Sequence, residues 1–378
     1  MDALIVGAGV IGLAVAWRAA GHGLSVTVVD PAPATGASHA GAGMITPVSE
    51  LNYGEEPLLR LGIASRDRYG KFVGELEELT GVGTDYRADG LLQVAFDADD
   101  LALFDDLRRF QESLGVRTEP LTGRECRRLE PLLAPSVRGG LYAPDDGAID
   151  PRRLCAALLD AVVRAGGTFV RERATDVIVE RDAAVGVRLA GGREVRADQV
   201  VLAAGCWTGE LGGLPPGTLP DIRPVKGQIL RLRTRMPFLA RCTRGLVRGS
   251  PIYLVPRSDG ELVVGATQEE LGFDTTVTAG GLWELLRDAR ELIPGITELE
   301  FAEVIAGLRP GSPDNAPVLG PLGAGGPAGL HIASGHFRGG VLLAPITGDV
   351  MAEVLATGQV PEVARPFTPE RFGRAGDR

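Results

Sequence analysis

A glycine motif in the first 30 residues constrains this chain more than any other feature. Gly7, Gly9 and Gly12 follow the spacing G-x-G-x-x-G and separate a short apolar run, 3–6, from a longer apolar segment. This order predicts a buried parallel strand, a tight turn and a helix. A second apolar run follows and ends at Asp30, so the opening of the chain predicts a strand–helix–strand unit.

Each residue of the motif has a physical role at the start of such a unit. Gly7 permits the tight turn, Gly9 lets the backbone approach a pyrophosphate, and Gly12 lets the helix pack on the strand. The helix N-terminus faces the phosphate charge, and Asp30 can accept a hydrogen bond from a ribose hydroxyl. The motif therefore predicts a dinucleotide site and leaves both NAD and FAD open.

Two further features favour FAD as the dinucleotide. Residues 35–44 are mostly small, which leaves room for a long ligand beside the first two strands. Residues 335–340 form a second glycine loop between a predicted strand, 329–334, and a predicted helix, 341–355. Backbone donors in that loop could stabilise negative charge on a reduced flavin ring. A plain strand–helix turn is the alternative for this second loop.

Composition and motifs exclude several other classes of protein. The net charge is −10 and no basic run occurs, so binding to nucleic acid or to an anionic membrane surface is not expected. The sequence has four histidines and no GxSxG or HExxH motif, so neither a metal site nor a Ser–His hydrolase is predicted. Paired carboxylates for acid–base chemistry stay open, because the 49 acidic residues show no spacing signal.

The cysteines and the first apolar segment bear on the cellular compartment. Four cysteines lie far apart without a CxxC pair, which is typical of reduced, buried thiols in a cytosolic protein. Residues 3–17 are apolar, but no positive charge precedes them, and three glycines interrupt them. They are also shorter than the roughly 20 residues of a membrane span. We therefore expect a soluble, cytoplasmic protein.

Two arginines are candidate ligands for an anionic substrate. All but two of the 39 basic residues are arginines, so the mere presence of an arginine carries little weight. Arg309 ends an apolar run and Arg338 lies inside the second glycine loop, and both positions suit a bidentate grip on a carboxylate. Internal ion pairs are the alternative for both. Tyr253, in an alternating strand pattern, is either a hydrogen-bond partner of the substrate or a half-buried core residue.

The pattern of elements predicts the fold class. Buried strands, helices and glycine turns at both ends and in the middle of the chain indicate a doubly wound, Rossmann-like α/β domain. An α+β domain with an antiparallel sheet interrupts it. We predict a discontinuous FAD-binding domain over 1–50, 146–218 and 305–378, and a substrate-binding domain over 51–145 and 219–304.

Seven short segments of the sequence together match a known pattern. They are 6–12 (VGAGVIG), 40–44 (AGAGM), 224–228 (PVKGQ), 253–257 (YLVPR), 265–267 (GAT), 307–310 (GLRP) with 314–315 (DN), and 335–340 (GHFRGG). On these segments the chain resembles, over essentially its whole length, the FAD-dependent amine oxidoreductases of the D-amino-acid oxidase type. Within that family it is most similar to the glycine oxidases of thiamine biosynthesis.

The resemblance implies FAD held without a covalent bond. Relatives that attach the flavin use a cysteine near the C-terminal region, and here no cysteine follows Cys242. Besides the glycines of the first motif, the resemblance places FAD contacts on Val10, Ile11, Asp30, Pro31, Ala37, Ser38, Ala42, Gly43, Met44, Val177, His336, Phe337, Arg338, Gly339, Gly340, Val341 and Leu342.

The resemblance also implies a substrate and its ligands. Arg309 would bind the substrate carboxylate with help from Tyr253 and Arg338, and Met44 and Gln268 would line the pocket. Glycine would be oxidised with oxygen to an imine and then to glyoxylate, ammonia and hydrogen peroxide, and the imine would feed thiamine thiazole synthesis. Glycine oxidases carry methionine where this chain has Gln268, which leaves the preference for glycine open.

The alternative functions fall into three classes. The first is an oxidase or dehydrogenase of the same family for sarcosine or small D-amino acids. The second is a nicotinamide-dependent dehydrogenase, and the third is a non-catalytic flavin-binding scaffold. A homo-oligomer, in particular a homotetramer, is expected from the resemblance alone.

Overall fold

The computed structural model describes residues 1–236, 238–247 and 249–373, apart from the side chain of residue 324. Residues 237, 248 and 374–378 of the predicted domains lie outside the described residues. The helices are α1 Val10–Gly21, α2 Gly36–Ala40, α3 Glu56–Thr80, α4 Ala98–Ser113, α5 Gly123–Leu129, α6 Pro151–Arg164, α7 Ala279–Leu292 and α8 Ala344–Thr357. The strands are β1 Asp2–Val6, β2 Ser25–Val29, β3 Met44–Ile45, β4 Leu91–Ala95, β5 Glu119–Thr122, β6 Gly139–Ala143, β7 Gly147–Ala148, β8 Thr168–Val170, β9 Ala174–Glu180, β10 Ala183–Leu189, β11 Glu194–Arg196, β12 Gln199–Leu202, β13 Arg223–Arg233, β14 Cys242–Val247, β15 Ser250–Pro256, β16 Glu261–Gly265, β17 Glu300–Gly311, β18 Val318–Pro321 and β19 Leu330–Ser334.

The first sheet is the doubly wound sheet that the sequence predicts. Its strand order is β18-β19-β12-β1-β2-β8, and all neighbours are parallel except β18 and β19. Alternate residues of β1 face opposite sides. Ala3 and Ile5 pack in the core with α1, α6 and α8, whereas Leu4 and Val6 pack against β9 and β10. Both faces of β1 are therefore buried, which explains its unbroken apolar run.

The second sheet is largely antiparallel and has the order β17-β13-β16-β15-β14-β4-β6-β5, with only β14 and β4 parallel. One face packs on α7, where Leu285 and Leu292 meet Leu254. The opposite face turns Ile229 and Val263 toward Ala42, in the segment that follows α2. This second face therefore closes over the small-residue loop of the first sheet.

Three features differ from the simplest expectation. Helix α8 begins at Ala344 and not at 341, since Pro345 favours the first turn of a helix. Helix α3 lies in the predicted substrate-binding segment, yet its Phe72 packs in the core of α1. The predicted boundary between 304 and 305 falls inside β17, and the division into domains stays a prediction. None of the described helices has both the length and the apolar character needed to cross a membrane.

Candidate active site

The first glycine loop has the geometry that its spacing predicts. Gly7 adopts φ 107°, and a Cβ atom there would overlap the carbonyl oxygen of Ala203. A Cβ atom on Gly12 would overlap the carbonyl oxygen of Gly7, so only glycine lets α1 approach the loop this closely. A Cβ atom on Gly9 would meet only Ser38 Oγ, at 3.1 Å. A side chain at Gly9 would therefore crowd Ser38, whose hydroxyl accepts from the N–H of Val10.

The N-terminus of α1 and Asp30 lie at the same edge of the first sheet. Val10 donates its N–H to Ser38 Oγ at 2.9 Å. Asp30 Oδ2 accepts from the N–H of Ala8, and its Oδ1 accepts from the N–H of Ala32, both at 2.7 Å. Each carboxylate oxygen keeps a second lone pair. Asp30 is therefore fixed by the backbone and still able to accept from a ligand hydroxyl.

A cavity of about 720 Å³ extends from this loop to the face of the second sheet. Its volume falls in the range of cofactor and small-molecule sites, roughly 300–1,000 Å³. It brings together both glycine loops and the candidate substrate ligands. The sequence-predicted residues that line it are Gly7, Gly9, Val10, Ile11, Asp30, Pro31, Ala37, Ser38, Ala42, Gly43, Met44, Tyr253, Gln268, Arg309, His336, Phe337, Arg338, Gly340 and Val341.

Four residues predicted to contact the cofactor do not line this cavity. Gly12 lies beneath the first loop, where it serves the packing of α1. Val177 is 2% exposed and packs in the core between β9 and the first sheet. Gly339 adjoins the side chain of Leu343, just before α8, and Leu342 is buried in the core of α1 and α8. Their cofactor contacts stay predictions.

The second glycine loop presents backbone donors to the cavity. Gly335 at φ 72° and Phe337 at φ 47° turn the chain sharply after β19. Within the part of the chain that the structure describes, the N–H groups of Gly340 and Val341 have no hydrogen-bond partner, and both residues line the cavity. Free donors just before α8 favour an anion or a negatively charged ring atom.

His336 is fixed inside the second loop as a neutral ring. The residue is 3% exposed, and its Nε2 lies 3.0 Å from the Thr347 hydroxyl. Burial lowers the pKa of His336 to about 3, so the imidazole carries no charge at neutral pH. The ring is suited to contact a cofactor and not to bind a carboxylate by charge.

Arg309, on β17, is held in place by backbone carbonyl oxygens. Its Nη1 donates to the carbonyl oxygen of Thr267 at 3.2 Å and to that of Lys226 at 3.4 Å. The guanidinium lies against Gly227, where a Cβ atom would overlap it. No carboxylate of the described residues forms an ion pair with Arg309. The guanidinium is thus held by neutral carbonyls, and its charge is free for a ligand.

The charge of Arg309 influences the hydroxyl of Tyr253. Tyr253 stands on β15, opposite Arg244 of β14 and Gly265 of β16. Burial raises the pKa of the Tyr253 hydroxyl, Arg309 and Arg244 oppose this rise, and Glu50 adds to it. The hydroxyl is therefore protonated at neutral pH and can donate a hydrogen bond. Three charged side chains lie within electrostatic range of it.

Arg338 forms the internal ion pair that the sequence left open. Its Nη2 donates to the carboxylate of Glu55 and, at 3.2 Å, to the backbone carbonyl of Glu50. The side chain is 25% exposed and lines the cavity. Unlike Arg309, Arg338 already has a compensated charge, and its role as a substrate ligand stays a prediction.

Four charged residues of the cavity escape sequence reasoning: Glu50, Arg173, Glu210 and Arg244. Glu50 and Arg244 both line it, and Nη1 of Arg244 lies 3.8 Å from Oε1 of Glu50. Neither residue type nor spacing marks them among so many acids and arginines. A usable signal existed for Arg244, because it stands directly opposite Tyr253 in a hairpin and directly opposite residues share a face of the sheet.

The residues of the cavity fit FAD at both ends. Gly9 lines the cavity at the N-terminus of α1, where its backbone suits a pyrophosphate, and Asp30 suits a ribose hydroxyl. The free donors of Gly340 and Val341 suit the flavin ring. Among the described residues, no group of three or more His, Cys, Asp or Glu side chains is placed to hold a metal ion.

Comparison with known proteins identifies the class. Residues 2–354 match the family model described as FAD dependent oxidoreductase, DAO. The chain therefore belongs to this family of FAD-dependent oxidoreductases, and its cofactor is FAD. This finding confirms the family resemblance, the fold class and the cofactor predicted from the sequence.

Named relatives make the comparison more specific. The glycine oxidase of Geobacillus kaustophilus is 33% identical over 99% of this chain and 98% of its own. Its crystal structure matches 98% of both chains with a TM-score of 0.90 and 32% identity. An iminodiacetate oxidase from Chelativorans sp. matches 97% of this chain and 98% of its own with a TM-score of 0.86 and 27% identity.

The bifunctional protein ThiO/ThiG of Synechocystis sp. is a further relative. It is 36% identical over 98% of this chain, but the match covers 54% of its own length. This chain thus spans about half the length of the bifunctional relatives that it matches. The glycine oxidase of Geobacillus kaustophilus, in contrast, is matched over 98% of its length.

Proposed function

We propose that this chain catalyses the FAD-dependent oxidation of glycine. One observation carries the proposal: Arg309 reaches the cavity with no carboxylate partner among the described residues. The carboxylate of an amino acid supplies that partner in a bidentate ion pair. The glycine oxidases among the relatives support glycine as that amino acid.

The residues of the chain would bind and orient this substrate. Arg309 holds the carboxylate and Tyr253 donates a hydrogen bond to it, which fixes the α-carbon in one place. Ile229 and Leu308 line the cavity and exclude water from the reacting centre. FAD, when bound, supplies the acceptor for a hydride from the α-carbon.

The products follow from the chemistry of glycine. Loss of the α-hydrogen as hydride converts the neutral amine to an imine, and water converts the imine to glyoxylate and ammonia. Oxygen takes the electrons and becomes hydrogen peroxide. We further propose that the imine feeds thiamine thiazole synthesis, as the resemblance to the glycine oxidases of that pathway implies.

The cofactor is proposed to be bound without a covalent bond. All four cysteines are buried. Cys206 lines the cavity, and burial raises the pKa of its thiol to about 12. A protonated thiol is a poor nucleophile, since attack requires the thiolate. Acid precipitation should therefore release all yellow colour into solution. A cytoplasmic homotetramer is proposed from the resemblance, and light scattering during gel filtration checks the oligomeric state.

Anaerobic addition of glycine to the purified yellow protein tests the function. We expect the visible flavin absorbance to bleach, and oxygen should restore it with one peroxide formed for each glyoxylate. Sarcosine, D-alanine, D-proline and iminodiacetate form the comparison panel. Bleaching by one of these and not by glycine would assign the reaction to that amine. A flavin that stays oxidised with every member would support the non-catalytic scaffold.

A further inference from the structure

We propose that Glu50 binds the amino group of the substrate and takes up its proton before oxidation. The inference rests on the proposed oxidation of a small amino acid at this cavity. In water at neutral pH such a substrate carries an ammonium group. Loss of a hydride from the α-carbon needs the neutral amine, because its lone pair must form the new C=N bond. A proton acceptor near the amine would supply this neutral form from the ammonium that predominates at neutral pH.

We call the part of the cavity around Arg309 and Tyr253 its substrate end. Glu50 is the carboxylate at this end. Three carboxylates of the described residues line the cavity: Asp30, Glu50 and Glu210. Asp30 is bonded to the backbone beside the first glycine loop, and Glu210 is exposed at the end of a short turn that follows β12. Glu50 instead lies beside Arg244, 3.8 Å from its Nη1, and Arg244 stands directly opposite Tyr253.

One oxygen of the Glu50 carboxylate is available to a ligand. Oε2 accepts a hydrogen bond from the Thr46 hydroxyl at 3.1 Å. No donor of the described residues bonds to Oε1, and the nearest cation, Nη1 of Arg244, is 3.8 Å away. The side chain is 18% exposed and lines the cavity. An ammonium group would therefore find an acceptor on Oε1 while Arg309 holds the carboxylate.

The turn that carries Glu50 is held by buried polar side chains. Asp146 is fully buried and accepts from the N–H of Ser49 at 2.9 Å and from its hydroxyl at 2.6 Å. Gln93 donates to the Ser49 carbonyl at 2.6 Å, and Gln111 donates to the preceding carbonyl at 3.0 Å. Buried polar groups are costly unless they are bonded in this way. Such support fixes a side chain as a reacting group requires.

Charged groups from several elements surround Glu50. Arg244 approaches it from β14, and Arg338 approaches from the second glycine loop with Glu55 as its partner. Asp146 lies beneath the turn, bonded to Ser49. Among these groups, Arg244 is the cation that faces the carboxylate itself, whereas Arg338 contacts the backbone carbonyl of Glu50.

The proposed step moves one proton from the substrate ammonium to the carboxylate of Glu50. The ammonium N–H bond breaks, the proton binds Oε1 of Glu50, and the electron pair of that bond remains on nitrogen. The products are a neutral amine and a neutral carboxylic acid, so nothing is oxidised or reduced in this step. After the reaction the acid returns its proton to water through the open side of the cavity.

Glu50→Gln tests the proposal, because it keeps the shape of the side chain and removes the proton acceptor. We expect kcat/KM for glycine to fall roughly 100-fold at neutral pH, the usual size of an acid–base contribution. The loss should shrink as pH rises, since free glycine then supplies its own neutral amine. Glu78→Gln, an exposed carboxylate of α3 remote from the cavity, should behave like the unmodified protein.

Binding of acetate, a carboxylate without an amine, provides a second readout. We expect flavin absorbance changes to give the same Kd for acetate in Glu50→Gln and in the unmodified protein. An unchanged kcat/KM and pH profile in Glu50→Gln would overturn the proposal. Equal weakening of glycine and acetate binding would also overturn it, because Glu50 would then only shape the pocket.

The role of Glu50 and the proposed function can fail separately. If the unmodified protein binds glycine anaerobically but never bleaches, the proposed function fails. The ratio of glycine affinity to acetate affinity still reports on Glu50 in that case. A lower ratio in Glu50→Gln than in the unmodified protein supports the amine contact, and an equal ratio refutes it.

Discussion

The nucleotide end of the cavity, around Gly9 and Asp30, and its substrate end, around Arg309 and Tyr253, differ in the groups that line them. Backbone forms most of the nucleotide end, where Gly7 and Gly12 leave no room for a side chain and Asp30 is held by two N–H groups. Long charged side chains form the substrate end, where Arg309 and Glu50 come from separate sheets and turns. The nucleotide end therefore depends on the absence of side chains. The substrate end depends on the residues that hold its charged side chains in position.

This difference teaches where each kind of specificity resides. A backbone cradle recognises a pyrophosphate and a ribose through shape, so glycine spacing alone can encode it. Charged side chains recognise a substrate through distance and direction, so their supports matter as much as their identity. Substitutions at the two ends should consequently fail in different ways.

The largest effect is expected from Gly12→Ala at the nucleotide end. The new Cβ atom would overlap the Gly7 carbonyl oxygen, and this backbone cannot move aside as a flexible side chain can. The cost should therefore exceed the roughly 1–3 kcal/mol of ordinary overpacking. We expect loss of bound FAD and a lower Tm, measured as the flavin-to-protein ratio and by thermal unfolding. Gly21→Ala in the same helix meets nothing within 4 Å and should retain both. Equal behaviour of the two variants would show that close packing does not define this end.

Arg309→Ala should give the next largest effect, at the substrate end. Loss of one partner of a charged pair costs roughly 2–5 kcal/mol, so kcat/KM for glycine should fall about 30-fold to 5,000-fold. FAD content should not change, which separates the two ends. Arg309→Lys should also lose activity, because the fork geometry is lost. Arg171→Ala, an exposed arginine, is the control, and unchanged glycine kinetics in Arg309→Ala would remove Arg309 from the site.

A smaller effect is expected from Glu269→Gln, which alters a support of Arg309. Glu269 accepts from the Thr267 hydroxyl at 2.6 Å and from Gln228 at 2.8 Å, and it pairs with buried Lys226 at 3.3 Å. Carbonyls of Thr267 and Lys226 hold Arg309. Weakening one bond to a charged group is worth roughly 1.5 kcal/mol, so the acetate Kd should rise up to about tenfold. An unchanged Kd would show that Arg309 needs no such support.

A separate prediction concerns stability, and not binding, at the turn beneath the substrate end. Burial raises the pKa of Asp146 to about 6, so the folded state binds this proton more tightly than the unfolded state. The free energy of unfolding should therefore fall as pH rises from about 4 to about 6, by about 3 kcal/mol for this group. Asp146→Asn should lack this contribution. Tm measured across that range checks it, and parallel pH profiles for both proteins would contradict it.

The same contrast explains what the sequence could reveal. The loop of Gly7 and Gly12 and the strand ending at Asp30 follow from local spacing, and the structure places them as expected. Arg309 could be predicted from the sequence because it ends an apolar run. Glu50 could not, because its place depends on a turn fixed by Asp146, nearly 100 residues later in the chain.

The expected FAD contacts show a second limit of sequence reasoning. The resemblance transfers positions and does not show which atoms of a residue face the ligand. Val177 and Leu342 accordingly turn out to have buried side chains away from the cavity. The packing of α3 against α1 was likewise hidden, since an amphipathic helix does not reveal which core it covers.

Strand β17 has a consequence for the length of molecule that the cavity accepts. The strand carries Arg309, and two residues later Gly311 forms a β-bridge to His336 of the second glycine loop. Backbone of fixed length therefore separates the group that grips a carboxylate from the loop suited to a flavin ring. For the proposed reaction, β17 would fix the distance between the substrate carboxylate and the flavin ring. An α-amino acid would always present the same carbon to the ring, and a β-amino acid would present the next one.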